Sequence, residues 1–337
     1  MTRKTAALPL VFALLLVLAL AGCSRSRDAL TIYSGRAQNL VGPLLERFNQ
    51  DTGIAIDVKY GDSAELALLI DEEGDRSPAD VFFSQSPGAT GFLAGKSRLA
   101  QLDGRLLDKV DQRFRNRDGR WVGVSGRQRV LVYNTELVQQ RELPDSVLDL
   151  TDARWAGKVA IAPANGSFQD FVTAMRQLEG DGATAAWLQA MARNRPRTYA
   201  NNNAIVEAVG RGEVPVGLVN HYYNYRFLKE NPGTPSRNHA FAGADAGALV
   251  IPATVSVLAG SDKSEEAARF VEFLLSPEAQ RYFSDETFEY PLASGVPAAA
   301  GLPPLDTLRS PPSDLDQLGG GLQRTIELIR SSGFDGV

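Results

Sequence analysis

The stretch LVNHYYNYRF, residues 218–227, gathers three tyrosines and a histidine, in a chain with only 9 Tyr and 2 His among its 337 residues. A phenol ionises near pH ~10, so it is neutral in water. A trivalent cation displaces that proton and holds the phenolate, because a bound cation inverts the usual pKa logic. Hard oxygen donors suit hard metal ions. Tyr222 and Tyr223 are adjacent, at the start of a helix, where both could reach one ion. The pair is equally compatible with packing, since buried tyrosines often keep one end wet. Tyr225 lies three residues from Tyr222 and is expected to pack. His221, directed away from Tyr222, is expected to be structural or to support the pair from behind.

Three more polar clusters carry possible chemistry. Asn165-Gly166-Ser167 follows a strand and opens a helix, where backbone N–H groups are free to meet an anion. Asn202 and Asn203 open a second helix, NNAIVEAV. Read from spacing, both clusters fit ordinary helix N-caps at least as well as an anion site. In SGRQRV, Arg127 and Arg129 fall on one face of an extended segment. Arg127 could hold an anion bidentately or form a surface ion pair.

The elements that must position these groups alternate. LTIYSG (30–35), IAIDVKYG (54–61) and ADVFFS (79–84) read as strands, with helices between them over 40–48 and 64–71. The extended run 121–134 has no helix leading into it and reads as a crossing between lobes. A second set follows: KVAIAP (158–163), a helix bearing Phe168, Phe171, Val172 and Met175, another helix over 183–192, and a strand over 214–219. GALVIPATVSVLAG (247–260) reads as a return crossing. An amphipathic helix over 264–275 and a tail from 301, helical over 315–329, complete the chain. Strands alternating with helices predict an α/β fold with mostly parallel sheets. The division expected is an N-lobe of 30–130 and 250–300, a C-lobe of 131–249, and a tail of 301–337. Ligands of open α/β sheets sit beyond the carboxyl ends of strands. Residues 34–38, 84–86, 165–167 and 220–223 all fall at such ends, which predicts one shared site.

The first residues set the compartment. Arg3 and Lys4 precede an apolar run over 10–20, then Ala21, Gly22 and Cys23. This pattern is a secretory signal peptide, and its run is short for a transmembrane helix. Leu20-Ala21-Gly22-Cys23 reads as a bacterial lipobox, with residues 1–22 removed, Cys23 lipidated and 23–29 a tether. The only cysteine of the chain cannot form an internal disulfide, so its place needs another reason. Acyl chains anchor a domain without spanning the bilayer. Loss of Arg3 and Lys4 takes the net charge from −5 to −7, a poor balance for binding nucleic acid.

SRSPADVFFSQ, VSGRQRVLVYNT, the NGSF turn, YANNNAIVEAVGRGEVPVGLVNHYY and EYPL together resemble the periplasmic ferric-ion-binding proteins of ABC importers. The resemblance runs from about residue 30 to 298, and Asn-x-Tyr-Tyr is its most specific part. It implies the two-lobed type II periplasmic binding protein fold, each lobe a mixed sheet flanked by helices. It implies Fe(III) held between lobes with a synergistic anion, carbonate or phosphate, and handed to an ABC permease and its ATPase. By this resemblance Tyr222 and Tyr223 are the metal pair, and Asn165, Gly166, Ser167, Asn202, Arg127 and Asn220 are the anion-binding group. Arg36 and Gln85 become possible N-lobe contacts.

Other positions depart from that pattern. Ala37 stands where many members have His, Gln38 where some have Tyr, Gln85 in place of a Glu, and Phe168 where some have Tyr. Neither His221 nor His239 stands at the missing position. The N-lobe is therefore expected to bring no strong charged ligand, with Asp62, Glu289 and Tyr290 as candidate replacements. Anion and water would complete the iron shell, or the cargo would be an iron chelate. The same fold binding an organic phosphate, a thiamine-like cation or a polyamine is the alternative. An enzyme is the least supported class, because the chain has no Gly-x-Ser-x-Gly elbow, His-Glu-x-x-His or phosphate loop. The expected protein is an exported, lipid-anchored monomer facing the periplasm or cell exterior.

Overall fold

The computed structural model describes residues 28–308, 310–311 and 314–334. The leader, Cys23 and most of the tether fall outside the described residues. The chain enters through β1 (Leu30–Ser34), α1 (Gln38–Thr52), β2 (Ile56–Tyr60), α2 (Ser63–Glu73), β3 (Val81–Ser84) and α3 (Pro87–Gly95). Both β2 and β3 run parallel to β1, with Leu30 beside Ile56 and Ile32 beside Val81. The apolar stripe of α1, Leu40, Val41, Leu44, Leu45 and Phe48, is buried. Each such side chain contributes about 1.5–3 kcal/mol. Gly53 ends this helix at φ 69°, a left-handed cap that glycine adopts freely.

A one-turn helix, α4 (Gly104–Leu107), and a 3-10 turn, Gln112–Phe114, precede β4 (Val122–Asn134). The sequence pattern of β4 gave no helix ahead of it; α4 is too short to show a periodic face. Next come β5 (Val159–Ile161), α5 (Gly166–Arg193), β6 (Arg197–Thr198), α6 (Asn202–Gly210), β7 (Val216–Asn220), α7 (His221–Glu230) and β8 (Ser236–His239). Within α5 the two helices expected, one bearing Phe168 to Met175 and one over 183–192, are separated at Gly180, whose φ of 84° and ψ of 160° are non-helical. The chain returns through β9 (Val250–Val257), α8 (Ser264–Leu274), α9 (Pro277–Asp285), β10 (Tyr290–Pro291) and α10 (Leu318–Ser331).

Two lobes meet on β4. Its first half pairs antiparallel with β9, from Val122–Val255 to Gln128–Val250. Its second half pairs with β7, from Arg129–Asn220 to Tyr133–Val216. All 13 residues of β4 are buried. Among the described residues the sheet order is β2-β1-β3-β9-β4-β7-β5-β6, with β8 and β10 also on β4. One core gathers Leu44, Phe48, Trp121 and Phe270. Another gathers Phe171, Trp187, Leu188 and Leu218. Buried Gln280 ties the return path together: its amide donates to the Val124 and Leu274 carbonyls and accepts from the Leu292 and Ala293 N–H groups. Helix α10 lies against both α3 and α5.

Candidate metal site

The carboxyl ends of four strands converge on one cavity. It measures about 260 Å³ and is lined by Gly35 and Ala37 after β1, Gln85 and Ser86 after β3, Asn165, Gly166 and Ser167 after β5, and Tyr223 after β7. A larger cavity, about 650 Å³, lies elsewhere, among α3, α5 and α10. Its Arg176 and Asp181 already pair with each other at 2.7 Å, and none of the four strand ends reaches it.

Tyr222 and Tyr223 occupy the first turn of α7, directly after β7. Their rings stack with centroids 4.1 Å apart and planes 28° apart. The helix N-terminus favours negative charge there. Burial pushes the Tyr222 phenol well above its ordinary pKa; Tyr223 and Glu289 push it further, while Arg36 and Arg127 act the other way. A neutral phenol at physiological pH is thus set to ionise only when a cation binds. Among the described residues, no cluster of three or more His, Cys, Asp or Glu could hold a metal.

Cations surround the pair. Arg36 is buried, and its Nη2 donates to Glu289 Oε2 at 2.6 Å with both side chains fully buried. Its Nη1 donates to Gln85 Oε1 at 3.3 Å. Burial opposes the Arg36 charge, but Glu289 and the two tyrosines outweigh it and raise the pKa. Arg127 is 1% exposed, which rules out the surface ion pair. Its Nη1 donates to the Gln85 carbonyl, while its Nε and Nη2 have no protein partner. Arg129 donates from Nη2 to the Leu218 carbonyl at 3.1 Å. Its Nη1 lies 3.5 Å from Asn220 Oδ1. The Arg129 guanidinium lies over the rings of Phe168 and Phe171, 5.8 and 5.4 Å from their centroids. Phe168 is therefore a cation–π platform. Burial lowers the Arg129 pKa to about 9.

The turn after β5 is internally bonded. Asn165 Oδ1 accepts from the Ser167 N–H at 3.1 Å, the Ser167 hydroxyl at 2.6 Å and Asn202 Nδ2 at 3.2 Å. The cap of α6 is Asn201, which accepts from the Ala204 N–H at 3.0 Å. Asn202 and Asn203 are thus not the caps. Asn202 is already helical, and its amide points back to the Asn165 turn. Asn220 Nδ2 has no protein partner.

Several residues fall beside the site. His221 Nδ1 accepts the Gln128 N–H at 3.1 Å, and burial lowers its pKa to about 4. Tyr290 lies against the His221 ring at 4.7 Å. Tyr225 stacks on Phe288 at 5.9 Å, as packing predicts. His239 bonds the Pro144 carbonyl, away from the cavity. Asp62 lines the cavity, but its Oδ1 caps α2 through the Ala64 N–H at 2.8 Å.

Sequence reasoning missed Asp170, a buried carboxylate that lines the cavity. Its spacing, three residues after Ser167 on a helix, was the available signal. It also left Glu289 without its role as the Arg36 partner. That pairing spans 253 residues, and no local pattern announces it.

Residues 76–314 match the sequence profile of the bacterial extracellular solute-binding protein family. The Fe(3+)-binding periplasmic protein of Serratia marcescens is 32% identical over 324 residues, 95% of each chain. The structure of iron-bound HitA from Pseudomonas aeruginosa superposes with a TM-score of 0.86 at 34% identity, covering 90% of this chain and 99% of that one. A Trichodesmium IdiA (FutA) structure with iron and citrate ligands superposes with a TM-score of 0.79 at 28% identity, over 91% and 100% of the two chains. The chain therefore belongs to the bacterial extracellular solute-binding proteins, in the periplasmic ferric-ion-binding family with the two-lobed type II fold.

Proposed function

We propose that this protein captures ferric iron in its interlobe cleft and delivers it to an ABC permease driven by its ATPase. Iron-binding relatives and iron-bound neighbours support the cargo. The observation that carries the reading is the stacked pair of buried Tyr222 and half-buried Tyr223 at a helix N-terminus, with Arg36 and Arg127 acting on Tyr222. Two phenolates supply hard oxygen ligands from one lobe. Arg127 Nε and Nη2, with Asn220 Nδ2, are buried donors lacking an acceptor. Such donors suit a synergistic oxyanion, carbonate or phosphate, placed beside the Asn165–Gly166–Ser167 turn and Asn202. We infer an N-lobe of 30–130 and 250–300, a C-lobe of 131–249, and a C-terminal segment of 301–337. Iron loads on the C-lobe, and hinge closure at β4 and β9 brings Arg36 and Gln85 over it. Export with a lipid anchor on Cys23, and a monomeric state, complete the proposal. The protein acts as a carrier, not an enzyme.

The test is a visible spectrum of the chain from residue 24 onward, titrated with ferric citrate, with and without bicarbonate or phosphate. Iron–phenolate ligation gives a charge-transfer band that vanishes in Tyr222→Phe and Tyr223→Phe. A folded protein with no band overturns the reading. It would favour another solute on the same fold, such as an organic phosphate, a thiamine-like cation or a polyamine. A band with citrate that free ferric ion and anion cannot reproduce identifies a chelate as cargo.

A further inference from the structure

Asp170 sits where the two lobes meet. It lies on α5 of the C-lobe and is 5% exposed. It lines the cavity opposite Ser86 and Ala89 of the N-lobe. Its Oδ1 approaches Gly88, in the first turn of α3, so closely that a β-carbon there would lie 3.1 Å away. Its Oδ2 is buried with no hydrogen-bond partner. Ser86, the α3 cap residue, makes no side-chain bond to the helix it precedes; its hydroxyl bonds the Asp170 carboxylate instead and leaves Oδ2 unmatched. A carboxylate is thus carried into the lobe interface with one oxygen unsatisfied, and a buried charge so placed is costly.

We propose that Asp170 is the release element of the cleft: closing the lobes buries its incompletely partnered carboxylate against α3, which limits the lifetime of the closed form. The inference rests on the closure described under Proposed function and deepens it with a device for reopening. Asp170 acts through the lobe interface, so it is a positioning residue for release, not a ligand.

The charged and polar groups that act on it are known from each side. Burial dominates and raises its pKa from 3.8 to about 6. Arg127 and Arg129 on β4 and the Ser86 hydroxyl lower it, while Asp62 at the cap of α2 raises it. An open cleft returns Asp170 to solvent and to an ordinary carboxyl pKa. Closing then takes up a proton between pH 4 and 6. The closed form is favoured as pH falls through about 6, and this advantage is absent at pH 7 and above. For a carboxyl moving between those two values, the closed-to-open ratio rises about tenfold from pH 7 to pH 5.

The experiment reads lobe separation in the iron-free protein by fluorescence energy transfer. The single native cysteine is replaced, and dyes are placed at exposed Leu68 and Leu148 after substitution to cysteine. Asp170→Asn keeps the shape and removes the charge. It should raise the closed fraction at pH 7 and lose the change between pH 7 and 5. Gly88→Ala, which suits a helix interior, should crowd the carboxylate and lower the closed fraction at both pH values. An Asp170→Asn protein whose closed fraction follows pH as the wild type does overturns the proposal. So does a wild type whose closed fraction stays constant over that range. Neither result depends on iron, so the ferric titration fails or succeeds separately. In iron-loaded protein with an intact charge-transfer band, Asp170→Asn should slow iron release to a chelator about tenfold at pH 7. Unchanged release would overturn its role in cargo turnover.

Discussion

At the residue scale, Arg36 and Glu289 decide how the N-lobe meets the tyrosines. The positions where the family resemblance places N-lobe ligands hold Ala37 and Gln85, and the charge near them is the buried Arg36–Glu289 pair. The Thr287 hydroxyl, which donates to the Phe283 carbonyl at 2.6 Å, also lies 3.1 Å from Glu289 Oε2. Removing one partner of a buried pair leaves an uncompensated charge, at a cost of about 3–5 kcal/mol. Arg36→Met should therefore lower the denaturant midpoint of the iron-free protein sharply. The double variant Arg36→Met/Glu289→Gln should recover much of the loss, because no buried charge is then unmatched. If the proposed C-lobe loading is right, Arg36→Met also keeps the charge-transfer band, since the phenolates stay in place. Equal midpoints for the single and double variants would count against a buried ion pair as the source of the effect.

At the scale of elements, β7 and α6 set the site together. Gly217 lies in β7, and a β-carbon there would fall 2.3 Å from Ile205 Cγ2 on α6 and 3.3 Å from Ala160 Cβ on β5. That close approach lets α6 bring Asn202 to the Asn165 turn while β7 delivers the tyrosines. Gly217→Ala overpacks this contact, at about 1–3 kcal/mol. The melting temperature should fall, and the dependence of iron binding on added anion should weaken as Asn202 shifts. Gly217→Ala/Ile205→Leu, which removes the crowded γ-methyl at nearly constant volume, should recover much of both; a double variant no better than the single would locate the defect elsewhere. The same elements show what was legible in the sequence. The strands over 81–84 and 216–220 announce themselves through apolar runs ending in a polar residue, the strand over 30–34 through a mainly apolar run interrupted at Thr31, and α1 through its periodic stripe. Helix α3, PGATGFLAG, carries Pro and three glycines and received no assignment from the sequence, yet much of it is buried under neighbouring elements. The Glu289 pairing depends on such tertiary contacts and became visible only with the fold, whereas Asp170 was signalled only by its place three residues beyond Ser167 on one helix. The Tyr222–Tyr223 pair and the Asn165 turn were legible because adjacent residues at a strand end share one place in space.

At the scale of the whole molecule, the lobes are joined by more than β4 and β9. The C-terminal segment bonds both. On the N-lobe side, Asn116 Nδ2 donates to Asp316 Oδ1 at 2.8 Å, and Arg117 Nη2 lies 2.9 Å from Asp314 Oδ2. On the C-lobe side, Arg176 Nη1 donates to the Gly321 carbonyl at 2.7 Å, and the Thr173 and Thr325 hydroxyls bond at 2.7 Å. Leu322 of α10 also lines the cavity. A cleft cannot open widely without breaking one set of these bonds or stretching the segment between them, so the tail opposes opening while Asp170 opposes closure. The two sets differ in strength. Arg117 is largely exposed and its ion pair is worth at most about 1 kcal/mol. The half-buried bond from Asn116 to the Asp316 carboxylate is charge-assisted and worth about 1.5–3 kcal/mol. The N-lobe anchor therefore depends mainly on Asp316. Asp316→Ala should lower the closed fraction of the iron-free protein several-fold in the same energy-transfer measurement, at pH 7 and pH 5 alike, because Asp316 is not among the groups that act on the Asp170 carboxyl. Hydrogen exchange should quicken over residues 314–318 and stay slow over 321–329, where bonds to α5 persist. Faster exchange throughout α10 would mean that the helix holds to α5 only through its N-lobe anchor. An unchanged closed fraction would leave β4 and β9 as the sole hinge that sets opening.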